Sequence, residues 1–386
     1  MYCCKKRGVR PHGRRFPLIR RQHAAEGSFM LKERCDKLTA VLEEKGLDCA
    51  LVTSKTNIRY FADFPSDEAV LVISKERRVL LTDFRYIIQA NQLSAPTFEI
   101  VETSRAIAAD EIAAVLREIG AKKCAFEDGY LTVRAFNNYR DLPVELVPLT
   151  PEIDRCRLVK SEFEIECLKK AQSIADAAFA ELITVIRSGM TEKEVANELD
   201  HLLRVHGADE NSFDTIVGSG PNGALPHAVP GQRKLREGDL VVIDFGCRYN
   251  GYCSDMTRTI AVGEICDELK KIYAITRRAQ QKALDVLTPN MEAKTLDAAA
   301  RDVITEEGYG KLFGHSLGHG FGLDIHEAPY ASTRSEDLLI PGTTITVEPG
   351  IYIEDLGGVR IEDDCVLTED GFINLAKTTK DLITIH

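Results

Sequence analysis

The sequence predicts a mixed α/β (α+β) fold in two parts, and three features of its 386 residues support this prediction. Short apolar runs alternate with helical segments between residues 30 and 150, as in a small α/β domain. A long amphipathic helix, predicted over residues 162–186, then opens a second part. Within that second part, two stretches of sequence match each other in order and spacing.

The first part has the pattern of a small sheet covered by helices. Apolar residues at three- and four-residue spacing predict a helix over residues 31–45, and a second helix is predicted over 106–120 with Gly120 as its C-cap. Strands are predicted at residues 49–53, 69–74, 78–82, 124–127 and 144–147. This part contains no cluster of ligand-type residues. We therefore expect it to serve packing, oligomer contact or control of substrate access.

The chain is predicted to divide into a basic extension (1–29), the α/β domain (30–150), a linker (151–160) and a second domain (161–386). The extension is rich in Lys and Arg and contains one acid, Glu26. A targeting segment is one interpretation, since Arg14 and Arg15 are paired as in export signals. The segment lacks the apolar run of such signals and has little Ser, so we expect a disordered extension.

Composition and charge exclude several classes of protein. The net charge of −11 argues against nucleic-acid binding, which needs a basic face. No stretch approaches the roughly 18 consecutive apolar residues of a membrane span. The eleven cysteines are scattered and lack C-x-x-C spacing, so we expect reduced, mostly buried thiols in a cytoplasmic protein.

Two segments of the second part have the same order of features: a Met-to-Lys tetrapeptide, a predicted helix and a glycine at the end of the helix. Met-Thr-Glu-Lys at 190–193 precedes a predicted helix that ends at Gly207, and Met-Glu-Ala-Lys at 291–294 precedes one that ends at Gly308. The offset between the two is constant. Thr191 and Glu194 form the S/T-x-x-E pattern of a capping box, which predicts the start of the first helix.

Two apolar runs in the second part each end in a carboxylate. Asp244 ends the run 240–244 and Glu348 ends the run 344–348, and a glycine precedes each acid by the same distance. A further acid follows each, Asp255 and Glu362, on neighbouring runs that are predicted to pair with the first as strands. Such a duplication predicts two half-sites that face each other across a pseudo-two-fold axis.

The four acids predict a metal site, because inward carboxylates crowd negative charge unless a cation offsets it. His319 supplies a nitrogen ligand from the glycine-rich stretch 314–322, where glycines allow close backbone approach. Such an oxygen-rich set suits two divalent ions about 3.5–4 Å apart, Mn²⁺ above all, with Co²⁺ or Fe²⁺ as alternatives. Three further histidines stand nearby in the sequence: His227, His315 and His326.

Eight short motifs agree in order, spacing and residue type with one known family: Phe213-Asp-Thr-Ile-Val, Leu225-Pro-His, Val242-Ile-Asp-Phe-Gly, Ser254-Asp-Met-Thr-Arg-Thr, Gly318-His-Gly, Ile325-His-Glu, Val347-Glu-Pro-Gly and Val359-Arg-Ile-Glu-Asp. On these motifs the chain resembles the pita-bread metallopeptidases over residues 30–386. Within them it is most similar to the Xaa-Pro aminopeptidase and prolidase branch. The resemblance implies a creatinase-like N-terminal domain followed by a pseudo-two-fold pita-bread catalytic domain.

The resemblance also implies roles for the metal ligands. Asp244 would bind one ion, Asp255 and Glu362 would bridge both, and His319 and Glu348 would complete the ligand set. A hydroxide that bridges the ions, its pKa lowered by them, would attack the scissile carbonyl. Glu348 would also shuttle the proton.

Four more residues receive roles from the resemblance. His227 and His326 would bind the substrate and stabilise the oxyanion, and His315 stands with them at a catalytic position typical of the Xaa-Pro branch. Arg360 lies two residues before Glu362, so on a strand both side chains would share a face. Arg360 would either form a structural salt bridge or help to hold the substrate.

The expected activity is removal of the residue that precedes proline at an N-terminus, that of an Xaa-Pro aminopeptidase. The alternative is an Xaa-Pro dipeptidase (prolidase), which cleaves dipeptides only. Substrates are therefore expected among proline-containing peptides or dipeptides. A homodimer is expected from the family, while the native metal and the peptide length are left open.

Other interpretations fit the sequence less well. Residues 218–223 satisfy G-x-G-x-x-G, but the prolines at 221, 226 and 230 prevent the helix that a dinucleotide site requires. No G-x-S-x-G elbow supports a serine hydrolase at Ser254 or Ser316. A binding module or a creatinase-type hydrolase of the same fold would lack the full ligand set. Methionine aminopeptidases generally lack the N-terminal domain.

Overall fold

The computed structural model describes residues 24–95, 97–104 and 107–386. Most of the predicted extension, 1–29, lies outside these residues, and the described chain begins in a helix at Ala24. Two compact units divide between Ile153 and Asp154, a position inside the predicted linker. That linker is helical at its start, because the helix Thr150–Arg155 runs into it. Among the described residues, no helix combines the length and apolar character needed to cross a bilayer.

The first unit alternates helices with strands. Its elements in chain order are α1 (Ala24–Lys45), β1 (Cys49–Val52), α2 (Lys55–Ala62), β2 (Ala69–Ser74), β3 (Arg78–Asp83), α3 (Ile87–Leu93), β4 (Glu99–Thr103), α4 (Ala109–Ile119), β5 (Lys123–Phe126), α5 (Val133–Tyr139), β6 (Glu145–Pro148) and α6 (Thr150–Arg155). All five predicted strands are confirmed to within two residues. The predicted start of α4, at Ala106, lies outside the described residues.

The strands of the first unit form one mixed sheet in the order β4-β3-β2-β1-β5-β6. Strands β1 and β5 are parallel, and β1 and β2 are antiparallel. Apolar residues of the sheet pack against Ile112 and Leu116 of α4. The pattern did not predict the helices α2, α3, α5 and α6, which are shorter than the window over which helical periodicity is informative. It also missed β4, where acidic and apolar residues are mixed without a continuous apolar run. Gly120 has φ 74° and caps α4, as predicted.

The second unit contains the longer helices and most of the strands. Its elements in chain order are α7 (Glu162–Val185), α8 (Glu192–Val205), β7 (Glu210–Asn211), β8 (Ile216–Ser219), β9 (Leu240–Phe245), β10 (Cys247–Tyr249), β11 (Tyr252–Cys253), β12 (Met256–Val262), α9 (Asp267–Val286), β13 (Met291–Glu292), α10 (Ala293–Glu306), β14 (Gly318–Gly320), β15 (Glu327–Ala331), β16 (Leu338–Leu339), β17 (Thr344–Val347), β18 (Gly350–Ile353), β19 (Gly357–Arg360), β20 (Asp363–Leu367), β21 (Phe372–Asn374) and β22 (Thr384–Ile385).

The helices of the second unit begin where local hydrogen bonds can satisfy their first N–H groups. The predicted capping box of α8 is confirmed, since the Thr191 hydroxyl accepts from the Glu194 N–H and the Glu194 carboxylate accepts from the Thr191 N–H. Ser161 and Glu164 form the same motif at α7. The stretch 218–223 runs into a 3-10 turn, Gly220–Ala224, so the α-helix that a dinucleotide site requires does not begin at its glycines.

The repeat seen in the sequence corresponds to two antiparallel strand pairs, each packed against a pair of helices. We call them the two central hairpins, although two short strands lie between the members of each pair. Strand β9 pairs with β12 and is covered by α7 and α8, while β17 pairs with β20 and is covered by α9 and α10. The two halves are not identical in register. Asp244 lies opposite Thr257, two residues after Asp255, whereas Val347 lies opposite Asp363, next to Glu362. The two halves therefore have their acids in the same order along the chain, but the strand register that places the second acid opposite the first differs between them.

Candidate metal centre

The four predicted acids lie at the ends of the two central hairpins, and all are buried or nearly so. Asp244 is the last residue but one of β9, and Glu348 follows the last residue of β17. Asp255 and Glu362 directly precede β12 and β20. Glu362 is the most buried, with 1% of its surface exposed.

The predicted pairing of each run with the strand before it is confirmed by β9–β12 and β17–β20, but neither run is one continuous strand through Asp255 or Glu362. The chain leaves the ladder between β11 and β12, and again between β19 and β20. At these breaks the backbone bonds across the two halves: the Glu362 N–H donates to the Thr257 carbonyl, and the Asp255 N–H donates to Asp364 Oδ2. These bonds hold the half-sites together. Since β19 ends at Arg360, the predicted common strand face of Arg360 and Glu362 does not exist either.

His319 completes the cluster from a bulge in the short hairpin β14–β15. A Cβ at Gly318 would collide with the Thr346 carbonyl, and one at Gly320 with that of Ala328, so both neighbours must be glycine. The His319 backbone N–H donates to Thr346 Oγ1 at 3.0 Å, which fixes the ring relative to β17. The close backbone approach expected from the glycine-rich stretch is confirmed.

Three of the predicted ligands form a compact set of donor atoms. One ligand atom each from Asp255, His319 and Glu362 lie within 4.8 Å of one another. His319 Nε2 is 3.7 Å from Asp255 Oδ2 and 3.4 Å from Glu348 Oε1. Because His319 Nδ1 lies 3.1 Å from the Gly320 carbonyl, it carries the proton, and Nε2 presents a lone pair to the carboxylates.

The protonation behaviour of the cluster reflects the crowding of its charges. Burial, together with the charges of Glu362 and Asp244, raises the pKa of Asp255 well above its ordinary value. Burial and the charges of Glu348 and Asp244 do the same to the pKa of Glu362. Burial raises the pKa of Glu348 to about 8, and burial lowers the pKa of His319 to about 3. Without a cation, these shifts favour the protonated form of the Asp255, Glu348 and Glu362 carboxyls.

Asp244 is held differently from the other acids. Its Oδ2 accepts from Arg360 Nη2 at 2.6 Å, while its Oδ1 is buried without a hydrogen-bond partner among the described residues. An unsatisfied buried carboxylate oxygen is costly, and a bound cation would satisfy it. A site for divalent metal ions fits three features of this cluster. They are the Asp244 oxygen left unpaired within the described part of the chain, the lone pair on His319 Nε2 and the carboxylates that repel one another.

Arg360 belongs to a buried network that sequence reasoning only partly found. Its Nη1 donates to the Tyr352 hydroxyl at 2.8 Å, and its Nε donates to Thr257 Oγ1 at 3.0 Å. The Tyr352 hydroxyl lies 3.0 Å from His315 Nε2. His315 is thereby connected to Asp244 through Tyr352 and Arg360. Burial lowers the pKa of His315 to about 4, so it is neutral and accepts from Tyr352.

The other two predicted histidines lie at the rim. The His326 ring packs edge-on against that of His319, with ring centroids 4.3 Å apart, and its own surface is exposed. His227 is also exposed, on the segment that follows the 3-10 turn. The sequence analysis missed Tyr352, Thr257, Thr346 and Asp364, all of which bond to predicted residues. Thr257 stands inside the motif Ser254-Asp-Met-Thr-Arg-Thr without having been assigned a role there, whereas Tyr352, Thr346 and Asp364 lie outside the eight motifs.

The hairpin pair and its acid cluster define a two-part metallohydrolase with a pita-bread catalytic unit. Residues 166–369 match the metallopeptidase family M24, and residues 34–159 match the creatinase/prolidase N-terminal domain. The chain belongs to metallopeptidase family M24. The predicted fold, a creatinase-like domain followed by the catalytic domain, is confirmed.

Individual relatives are similar along their whole length. The chain is 44% identical to a solved structure described as Xaa-Pro dipeptidase from Bacillus anthracis, with a TM-score of 0.90, covering 92% of this chain and 100% of that one. It is 38% identical to Xaa-Pro dipeptidase of Pyrococcus furiosus, over 92% of this chain and 100% of that protein. A structure described as X-Pro aminopeptidase from Thermotoga maritima is 37% identical, with a TM-score of 0.84, covering 91% and 100%.

Proposed function

We propose that this metallopeptidase is an Xaa-Pro dipeptidase, a prolidase that uses two divalent metal ions. The dipeptidase names of relatives from Bacillus anthracis and Pyrococcus furiosus support this activity over the aminopeptidase expected from the sequence. The buried Asp244 Oδ1, which lacks a hydrogen bond among the described residues, is the observation that best supports metal dependence. An Xaa-Pro aminopeptidase is the second candidate, because the similar Thermotoga maritima structure carries that name.

The proposed ligand set is the one expected from the sequence: Asp244, Asp255, His319, Glu348 and Glu362. When bound at these residues, the ions would supply Lewis-acid chemistry and a water of lowered pKa. Bound cations would favour the ionised carboxylates, because they oppose the burial and the charge repulsion that raise the pKa of Asp255 and Glu362. Mn²⁺ is the ion we expect, as the donor set is mainly oxygen.

The chain's own residues supply proton transfer and orientation. Glu348 is the acid with the more exposed side chain, 16% against 6% for Asp255, and its carboxylate can take a proton and pass it to the leaving nitrogen. His227 and His326 are exposed at the rim, where their ring nitrogens can donate to the substrate carbonyl oxygen. Arg360 Nη2 donates to Asp244 Oδ2 at 2.6 Å and fixes the orientation of that side chain. We assign Arg360 to this salt bridge and not to the substrate.

Peptide length and metal dependence together test the proposal. Purified protein, stripped with a chelator and reloaded with Mn²⁺, is assayed with Ala-Pro and with Ala-Pro-Ala. We expect Ala-Pro to be cleaved, activity to disappear on chelation and to return with Mn²⁺, and Ala-Pro-Ala to be cleaved far more slowly. Faster release of alanine from Ala-Pro-Ala would establish the aminopeptidase instead. Full activity after complete metal removal would contradict both candidates.

A further inference from the structure

Glu192 is a buried carboxylate with an unusual set of partners. It is the first residue of α8 and has 0% of its surface exposed. Its Oε1 accepts from the Ser219 backbone N–H at 2.8 Å and from the Ser219 hydroxyl at 2.7 Å. The Asn222 amide donates to Oε1 at 3.0 Å and to Oε2 at 3.1 Å, and the Gly231 N–H donates to Oε2 at 3.1 Å.

These partners lie at the two ends of one segment. Ser219 and Asn222 begin the stretch 219–231, which we call the His227 segment, and Gly231 ends it. Two backbone hydrogen bonds from the start of α8 also hold the C-terminal end of this segment. The Glu192 N–H donates to the Arg233 carbonyl at 3.0 Å, and the Lys193 N–H donates to the Gly231 carbonyl at 3.1 Å. The Glu192 carboxylate therefore joins the two ends of the segment, beside the Arg233 guanidinium, whose Nη1 donates to Ser219 Oγ at 2.6 Å, and it restricts the conformations that the segment can adopt.

The His227 segment is also attached to the metal centre. The Pro226 carbonyl accepts from Arg360 Nη1 at 3.1 Å, and the same guanidinium binds Asp244. Between the attachments at Pro226 and Gly231, the chain has only four residues, the first of which is His227. Because the His227 side chain is exposed, its position relative to the metal ligands depends on how firmly the segment is held at both ends.

Glu194 provides a natural contrast within the same helical turn. It is exposed, and its carboxylate accepts from the Thr191 N–H and hydroxyl at 2.8 and 3.0 Å in the capping box. Glu194 thus stabilises the start of α8, and its carboxylate bonds do not reach the His227 segment. A change at Glu194 weakens the helix, whereas a change at Glu192 also releases the segment.

We infer that Glu192 is a positioning residue that holds His227 in place for substrate binding. This inference rests on the proposed peptidase function, in which His227 contacts the substrate. Glutamine at position 192 has nearly the same shape but points an amide group at donors, so it opposes the N–H of Ser219 or of Gly231. The segment then loses a side-chain anchor at one end, while the metal ligands keep their own contacts.

The test compares E192Q with E194Q in the Mn²⁺-loaded, full-length protein, with Ala-Pro as the substrate. We expect E192Q to raise KM about 10- to 100-fold while bound metal stays at the wild-type level. E194Q should lower Tm and leave KM within about twofold of the wild type. Hydrogen exchange of residues 222–231 should accelerate in E192Q and stay slow in E194Q, a measurement that does not depend on activity.

A double-mutant cycle with H227A determines whether Glu192 acts through His227. We expect E192Q to add no further increase in KM when His227 is already alanine. Independent, multiplying effects would overturn the inference, as would unchanged exchange of residues 222–231 in E192Q. If E192Q does not fold, N222A removes one of the anchoring side chains and should give the same pattern with a smaller increase in KM. Failure of the wild-type protein to cleave any Xaa-Pro substrate would refute the proposed function, and the exchange data would still report on the segment.

Discussion

Glu362 and Asp363 are neighbours in the chain and each has 1% of its surface exposed, yet the protein surrounds them in opposite ways. Asp363 accepts from Arg258 Nη2 at 2.8 Å and from Lys380 Nζ at 2.9 Å. Gln280 and Asn374 donate to it as well. Glu362 faces the metal centre, where the Thr257 hydroxyl donates to its Oε2 at 2.6 Å.

The pKa values of the two carboxyls move in opposite directions. Burial alone would raise the pKa of Asp363, but the charges of Arg258 and Lys380 outweigh burial and bring the pKa below its ordinary value. At Glu362, burial and the nearby charges of Glu348 and Asp244 together raise the pKa. A buried acid with its own cations serves the fold, whereas one surrounded by other acids requires a cation from outside.

The largest effect is expected at the metal centre itself. Glu362→Gln removes a ligand, and we expect kcat/KM for Ala-Pro to fall by at least about 100-fold, the upper end of what loss of a supporting residue costs. The same change removes a charge that the metal-free fold disfavours, so thermal unfolding of the metal-free protein should occur at a higher temperature. A mutant that retains both wild-type activity and bound metal would contradict the assignment of Glu362.

Asp363→Asn should have the opposite effects: lower stability and unchanged metal binding. It leaves the buried Arg258 and the partly exposed Lys380 beside a neutral group, and we expect the free energy of unfolding to fall by about 3 kcal/mol. Metal stoichiometry measured on the folded fraction should stay at the wild-type level. Denaturant titration and metal analysis of both mutants check the contrast. Equal stability losses in Glu362→Gln and Asp363→Asn, both measured without metal, would remove the distinction between the two acids.

The pH dependence of stability should separate the metal-free from the metal-loaded protein. The pKa of Glu348 is raised from 4.5 to about 8 by burial, so the folded state keeps a proton that the unfolded state has released. This stabilising contribution is complete below about pH 4.5 and is lost as pH rises through 8. We expect Tm of the metal-free protein to decline over this range, less steeply in Glu348→Gln. With Mn²⁺ bound, the decline should disappear.

The smallest effect is expected at the buried hydrogen bonds around Arg360. Tyr352→Phe removes the hydroxyl between Arg360 and His315, and we expect kcat/KM to fall about 10-fold with bound metal unchanged. Tyr273→Phe is the matched control, because that hydroxyl donates to the Lys380 carbonyl at 3.2 Å, next to Asp363 and not at the metal centre. The control should stay within about twofold of wild-type kcat/KM. Equal losses in the two variants would show that the effect is not specific to the Arg360 network.

The two-part fold, the capping box of α8 and the five proposed ligands could be predicted from the sequence alone. Each depends on residues that are close in the chain or that recur at a fixed spacing. Apolar periodicity marks the helices, Thr191 and Glu194 are three residues apart, and the acids end apolar runs in two matching halves. The sequence led us to expect an aminopeptidase, whereas the similar proteins favour a prolidase. The sequence could not distinguish these activities, because no local pattern in the chain determines the length of peptide that it accepts.

Only the tertiary structure decided how these parts meet. Asp244 and Arg360 are 116 residues apart, and Glu192 and Gly231 are 39 apart, so no local spacing could pair them. The sequence also did not reveal that the strands break before Asp255 and Glu362, because the bonds that compensate for those breaks come from the opposite half of the unit. Local sequence determines which residue types are available. Long-range packing determines which carboxylates keep a partner and which remain available to bind metal.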